Sequence, residues 1–173
     1  MKNVLFLSTC NSARSVLAEA VMNAECEDRF DAFSAGSRPR GTIHPLALET
    51  LREAGYETTG LKSKSWESFS SQDAPDLHFV ITLCDEAVGE TCPAWPGTPQ
   101  RFHWGIVNPS LVEGDDATGK AAFRAALAQI EARILAFRSL PVENMTKVAL
   151  RHAMETIGTM DGASPLAADP ASD

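Results

Sequence analysis

The apolar positions of the chain fall into short runs and helical stripes that alternate along its length. Residues 4–7 (VLFL) form a continuous apolar run, the pattern of a strand covered on both faces, and a polar loop over 8–13 follows directly. Val16, Leu17, Ala20 and Val21 then recur at three- and four-residue spacing and predict an amphipathic helix to about residue 23. A second strand is expected over 31–35, closed by Gly36 and a Pro/Gly-rich stretch to Gly41. His44 and Pro45 open a helix through about Ala54, with the proline near the first turn where its missing N–H costs nothing, and Gly55 caps it.

Residues 61–74 read as a short helix or loop, and 77–83 as the strongest strand, apolar and β-branched. Residues 84–99 are loop-like, and 101–104 form a fourth strand ending at Gly105. Phe123, Leu127, Ile130, Ile134 and Phe137 step by 4, 3, 4 and 3, a helical stripe that Pro141 ends. A weaker last helix is expected over 142–157. The Ala/Gly/Pro/Asp-rich residues after 158 read as a mobile acidic tail, so the expectation is one domain over 1–158 and a tail over 159–173.

Strands alternating with helices predict a three-layer α/β domain: four parallel strands flanked by helices on both faces. In such sheets the site lies where strands end and loops cross to helices. Here those loops are 8–15, the one after Cys84, and the one after Trp104. The chain has 173 residues, 44% hydrophobic and 22% charged, with a net charge of −8. That balance fits a soluble globular protein and, with the basic residues scattered, argues against nucleic acid or an anionic membrane as partner. No apolar run approaches the ~18 residues of a membrane span. The run that stops at Leu7 falls short of the ~7–15 residues of an export signal, so a cytoplasmic location is expected. There Cys10, Cys26, Cys84 and Cys92 are expected to be reduced thiols. No second Cys/His pair follows at finger-like spacing, and no metal is expected.

Residues 8–15 (STCNSARS) sit between a buried strand and a helix start. A tight loop in that place points successive backbone N–H groups inward, and Arg14 adds a planar fork suited to a tetrahedral anion. The same residues also fit a polar turn with Ser12 as N-cap and Arg14 in solvent. The hydroxyls of Ser8, Thr9, Ser12 and Ser15 around a single arginine favour the anion site.

The segment VLFLSTCNSARS at 4–15 resembles the signature loop of low-molecular-weight tyrosine phosphatases and of the arsenate reductases built on that fold. The likeness continues through Ala18-Glu19-Ala20, Ser34-Ala35-Gly36, Gly60-Leu61-Lys62-Ser63, Val80 to Cys84, Cys92-Pro93 and His103-Trp104-Gly105, over about residues 3–140. Cys84 followed by Cys92, with His-Trp-Gly further on, is the arsenate reductase version. The resemblance implies a relay. A loop thiolate attacks arsenate, a second cysteine attacks the first as arsenite leaves, and a third captures the disulfide for reduction by thioredoxin or by glutathione and glutaredoxin. Cys84 takes the resolving role and Cys92 the relay role. Thr9, Cys10, Asn11, Ser12, Ala13 and Arg14 are implied to bind arsenate, phosphate or sulfate, and Ser15 to hydrogen-bond the nucleophile. No bound cofactor is implied.

Three positions depart from that pattern. The nucleophile position holds Ser8, whose hydroxyl neither ionises like a thiol nor supplies the electrons of a disulfide. Engineered replacement and natural loss both stay open as explanations. Asn108 stands where the family has an aspartic acid that protonates the leaving oxygen, which weighs against a phosphomonoesterase more than against a reductase; Asp115 and Asp116 are nearby in sequence. Some relatives hold potassium with an Asn, a Glu, a Ser and an Asp. Asn11, Glu19 and Ser34 match the first three and Lys64 falls at the fourth, so its ammonium is expected to replace the ion, pairing with Glu19 and steadying Asn11. A non-catalytic oxyanion binder is the remaining reading.

Overall fold

The computed structural model describes residues 1–169. The strands are β1 (Lys2–Leu7), β2 (Phe30–Ala35), β3 (Phe79–Thr82) and β4 (Gln100–His103). Between and after them lie α1 (Arg14–Glu25), α2 (Pro45–Glu53), α3 (Asp85–Val88), α4 (Asp116–Arg138), α5 (Lys147–Gly158) and α6 (Pro165–Ala168). The four strands pair in parallel, as the alternating pattern predicts, and the structure gives their order as β2-β1-β3-β4. Successive residues of β1 face opposite sides. Val4 and Phe6 join the large core with Leu17, Val21, Phe79, Ile81, Phe123, Ile130 and Phe137, which draws in α1, α4 and α5. Leu5 and Leu7 join a smaller cluster closed by Trp66, Phe69, Val80 and Trp95. Both faces of β1 are therefore buried, which is why its sequence is a continuous run instead of an alternation.

Three segments differ from the sequence expectation. Residues 84–99, read as loop, contain α3, a four-residue helix with Cys84 at its N-cap and too short to show a period. The last helix is split into the turn Val142–Asn144 and α5, whereas residues 61–74 hold a short 3-10 helix, Trp66–Phe69, in a loop, as expected. Most of the expected mobile tail is packed against the domain. Ser164 N–H donates to Gly105 O at 2.8 Å, Ala163 bridges Ile106, and the Asp85 carboxylate accepts from Ser164 Oγ–H and from Leu166 N–H. The remainder of that expectation, residues 170–173, lies outside the described residues.

Arg133 pins this C-terminal segment from within the core. It is 1% exposed on the buried side of α4, where a helical stripe would place an apolar residue. Its Nη1 donates to Gln129 O and Asp161 O (3.1 and 3.0 Å), and its Nη2 to Met160 O and Gly158 O (2.8 and 3.5 Å). The carbonyls of Gly158, Met160 and Asp161 end α5 and lead into the segment that reaches Asp85. Replacing Arg133 by Ala leaves a cavity and several carbonyls without a donor, with an expected loss of about 2–4 kcal/mol in urea unfolding. Residues 159–168 then become the first site of limited proteolysis. Unchanged stability and protection would contradict the pinning role.

Candidate active site

The carboxyl ends of β1, β3 and β4 bring together the three loops that the sequence pattern marks. The loop after β1 is turned inside out relative to an ordinary turn. Its carbonyls face outward, with Thr9 O, Cys10 O and Ser12 O accepting the N–H groups of Arg38, Arg40 and His44 at 3.0, 3.1 and 2.8 Å. The N–H groups of Cys10, Asn11, Ser12, Ala13 and Arg14 donate to no protein acceptor among the described residues. Helix α1 adds to this set, since its N-cap Ala13 makes no side-chain cap and its first turn holds no acidic residue. Consecutive unclaimed N–H groups at a helix start attract an anion. Two features permit the curl. Asn11 takes the left-handed conformation at φ 42°, which its short amide tolerates. Gly36 lies so close that a Cβ there would stand 2.6 Å from Ser8 O and 2.5 Å from Thr9 O.

The loop encloses a hollow of about 50 Å³ lined by Ser8, Thr9, Cys10, Ser12, Ala13 and Arg14. One liquid water occupies ~30 Å³, so the hollow suits a small ion. Arg14 turns inward. Its Nη1 donates to Ile106 O at 2.9 Å and Leu83 O at 3.3 Å, leaving Nε and Nη2 without a protein acceptor among the described residues. Burial pulls its pKa down while Cys84, Glu86 and Asp85 oppose the shift. Ser8 is 5% exposed, and its Oγ lies 2.6 Å from Ser15 Oγ.

Behind the loop, Asn11 Nδ2 donates to Ser15 Oγ and Ser34 Oγ, each at 2.9 Å, and Ser34 Oγ–H donates to Glu19. Burial pushes the Glu19 carboxyl up from its usual range, and Lys64 opposes it with its ammonium 3.5 Å from Oε2. Lys64 does pair with Glu19. Asn11, however, is held by the backbone: Lys64 N–H donates to Asn11 Oδ1 at 2.8 Å.

The two relay candidates sit in different surroundings. Cys84 is 2% exposed against the anion loop, where its Sγ accepts from Thr9 N–H at 3.3 Å. The Thr9 amide is thus directed to a thiol, and its hydroxyl donates to Glu90 at 2.9 Å. Cys92 is half-buried, faces a separate cavity beside β4, and has its thiol pushed up by burial against the pull of Arg101. Cys10 lines the hollow, and Cys26 is buried in the large core.

Asn108 lines the hollow and uses its Oδ1 to accept from Ser110 N–H and Oγ–H. Its amide can donate a hydrogen bond there but cannot deliver a proton. Asp115 caps α4 through Thr118, and neither it nor Asp116 lines the hollow. The carboxylate that does is Glu86, beside Arg40 and Ser110, three residues that sequence reasoning missed. Nothing local marks them, although the position of Glu86 two residues after Cys84 was a usable hint. His103 bonds Asp85 through Nε2 (2.8 Å) and Thr82 through Nδ1 (2.7 Å).

A family model described as low molecular weight phosphotyrosine protein phosphatase matches residues 3–150. The arsenate reductase of Halalkalibacterium halodurans is 36% identical over 136 residues, covering 79% of this chain and 94% of that protein. That of Bacillus licheniformis is 35% identical over 140 residues, with the same coverage of 79% and 94%. A solved arsenate reductase in the phosphate binding state matches with a TM-score of 0.62 at 26% identity, over 80% of this chain and 98% of that one. The thioredoxin-dependent arsenate reductase of Corynebacterium glutamicum matches with a TM-score of 0.56 at 27% identity, over 79% of this chain and 60% of that one.

The Lys64–Glu19 pair yields a test by melting temperature. The chain is expected to melt at the same temperature in potassium and sodium chloride. Lys64→Asp, which supplies a fourth oxygen in place of the ammonium, is expected to gain about 1.4 kcal/mol at ten times the potassium dissociation constant, or roughly 3–5 °C. A potassium-specific gain in the unsubstituted chain would contradict the replacement.

Proposed function

The chain belongs to the low molecular weight phosphotyrosine protein phosphatase family, and from that premise we propose that it is an arsenate reductase of the cysteine-relay type with Ser8 at the nucleophile's position. The observation that carries this reading is the Cys84 thiol set into the wall of the anion loop, 3.3 Å from Thr9 N. A relay needs a second sulfur there, and ester hydrolysis has no use for one.

Arsenate enters the hollow at 8–14, where the unclaimed N–H groups and the free edge of Arg14 meet its oxygens. A thiolate at position 8 would displace one oxygen from arsenic, that oxygen leaving as water. Cys84 would then attack the position-8 sulfur, and arsenic would depart as arsenite with the electron pair of the S–As bond. Cys92 would next attack Cys84, returning the position-8 thiolate and leaving a Cys84–Cys92 disulfide for an external thiol reductant, thioredoxin or glutathione with glutaredoxin. A chain with reduced thiols of this kind belongs in the cytoplasm. With Ser8 the first step has no thiolate, and among the described residues the one hydrogen bond of its Oγ is to the Ser15 hydroxyl, which is no base. The sequence as it stands binds the oxyanion and stops, so the oxyanion-binding reading describes the ground state of the same site. The phosphomonoesterase reading loses its acid at Asn108.

Ser8→Cys, given arsenate and a thioredoxin system, is expected to release arsenite at least roughly a hundredfold faster than the unsubstituted chain. Cys84→Ser in that background is expected to abolish the release. Equal release by the Ser8→Cys variant and the unsubstituted chain, or hydrolysis of an aryl phosphate without arsenite, would overturn the relay.

A further inference from the structure

A second cavity, of about 300 Å³, lies beside β4 and is lined by none of residues 8–14; Cys92 lines it with Arg101, Arg151, Glu155, Leu166 and Ala167. Its size is at the lower end of small-molecule pockets. A groove containing Lys147 continues it and shares Arg101 and Arg151. The wall formed by Arg151, Glu155 and α6 lies beyond the residues 3–150 that match the family model, so the family's shared architecture does not account for it.

The charge of this cavity runs against the rest of the molecule. The chain carries a net charge of −8, yet Arg101, Lys147 and Arg151 have no carboxylate within ion-pair distance among the described residues. The two guanidinium groups are nonetheless positioned, Arg101 over the Trp95 ring at 5.2 Å and Arg151 over Phe102 at 5.9 Å. Arg101, Arg151 and Lys147 outnumber the one carboxylate of the lining, Glu155, and none of them is ion-paired with it; this surplus, around a cavity with a thiol in its wall, points to an anionic ligand that brings sulfur.

We propose that this cavity binds a low-molecular-weight thiol bearing carboxylates, holds them on Arg101, Arg151 and Lys147, and presents its sulfur to Cys92. The role rests on the reductase reading. The bound thiolate attacks Cys92 Sγ of the Cys84–Cys92 disulfide, a new S–S bond forms, and Cys84 leaves with the electron pair. Thr9 N–H is in place to receive that thiolate. A second thiolate then attacks the small molecule's sulfur in the mixed disulfide, frees Cys92 as thiolate and departs as the symmetric small-molecule disulfide; solvent supplies the protons.

The reverse reaction tests the site without arsenate. The reduced full-length chain is mixed with glutathione disulfide (anionic), 2-hydroxyethyl disulfide (neutral) or cystamine (cationic), and adducts are followed by intact mass and assigned by peptide mapping. Each rate is divided by that of the same disulfide with a free small thiol. Cys92 is expected to react with glutathione disulfide roughly tenfold faster than with cystamine on this scale, with the advantage shrinking as salt is added. Lys147→Glu with Arg151→Glu, both at exposed positions, is expected to reverse the order, which a structural role for these residues would not do. Equal normalised rates, an order unchanged by charge reversal, or an adduct on Cys10 with Cys92 untouched would overturn the site. Arsenite release by Ser8→Cys is read separately. Loss of the anion preference with arsenite still formed overturns this site alone, and the preference kept with no arsenite formed overturns the reductase reading alone.

Discussion

The outward turn of three carbonyl groups, those of Thr9, Cys10 and Ser12, is the constraint on which the site depends. Each is satisfied by an N–H from the segment that follows β2, at Arg38, Arg40 and His44. With the carbonyls committed, the amides of the same peptides face inward without a partner, an arrangement that is costly unless water or a ligand fills the hollow. Gly36 is part of the same device, because any larger residue would push Ser8 O and Thr9 O out of place. Arg14 then joins the loop to the ends of the other strands through Leu83 O and Ile106 O. One guanidinium thereby ties the carboxyl ends of β1, β3 and β4 together while keeping an edge free for oxygen.

The support behind the loop is polar and continuous. Ser8 touches Ser15, which accepts from Asn11, which donates to Ser34, which donates to Glu19, beside Lys64. This chain sets the position of Asn11 and hence the left-handed turn that the loop requires. A fixed ammonium is a workable substitute for a bound ion, since it supplies charge to a carboxylate that burial disfavours.

The strands, their parallel pairing and the inward-facing amides of the loop after β1 were legible because each is written in a contiguous window: an apolar run, a hydroxyl-rich turn, a helical stripe. What stayed illegible depends on residues far apart in the chain. Glu86 and Arg40 reach the hollow from α3 and from the loop after β2, and no local pattern marks either. The composition of residues 159–168 suggested a free tail because a side chain on α4, Arg133, supplies the hydrogen bonds that hold it. A buried arginine within an apolar stripe reads locally as a surface residue. The cavity at Cys92 likewise exists only when α5 and α6 fold back over β4.

Isothermal titration of arsenate, or of phosphate as its stable analogue, into the unsubstituted chain and into Arg14→Lys tests the anion loop most directly. A single saturable site is expected in the unsubstituted chain, weakened at least roughly tenfold by lysine, which keeps the charge but lacks the fork. Equal affinities, or no binding by the unsubstituted chain at millimolar anion, would contradict this expectation.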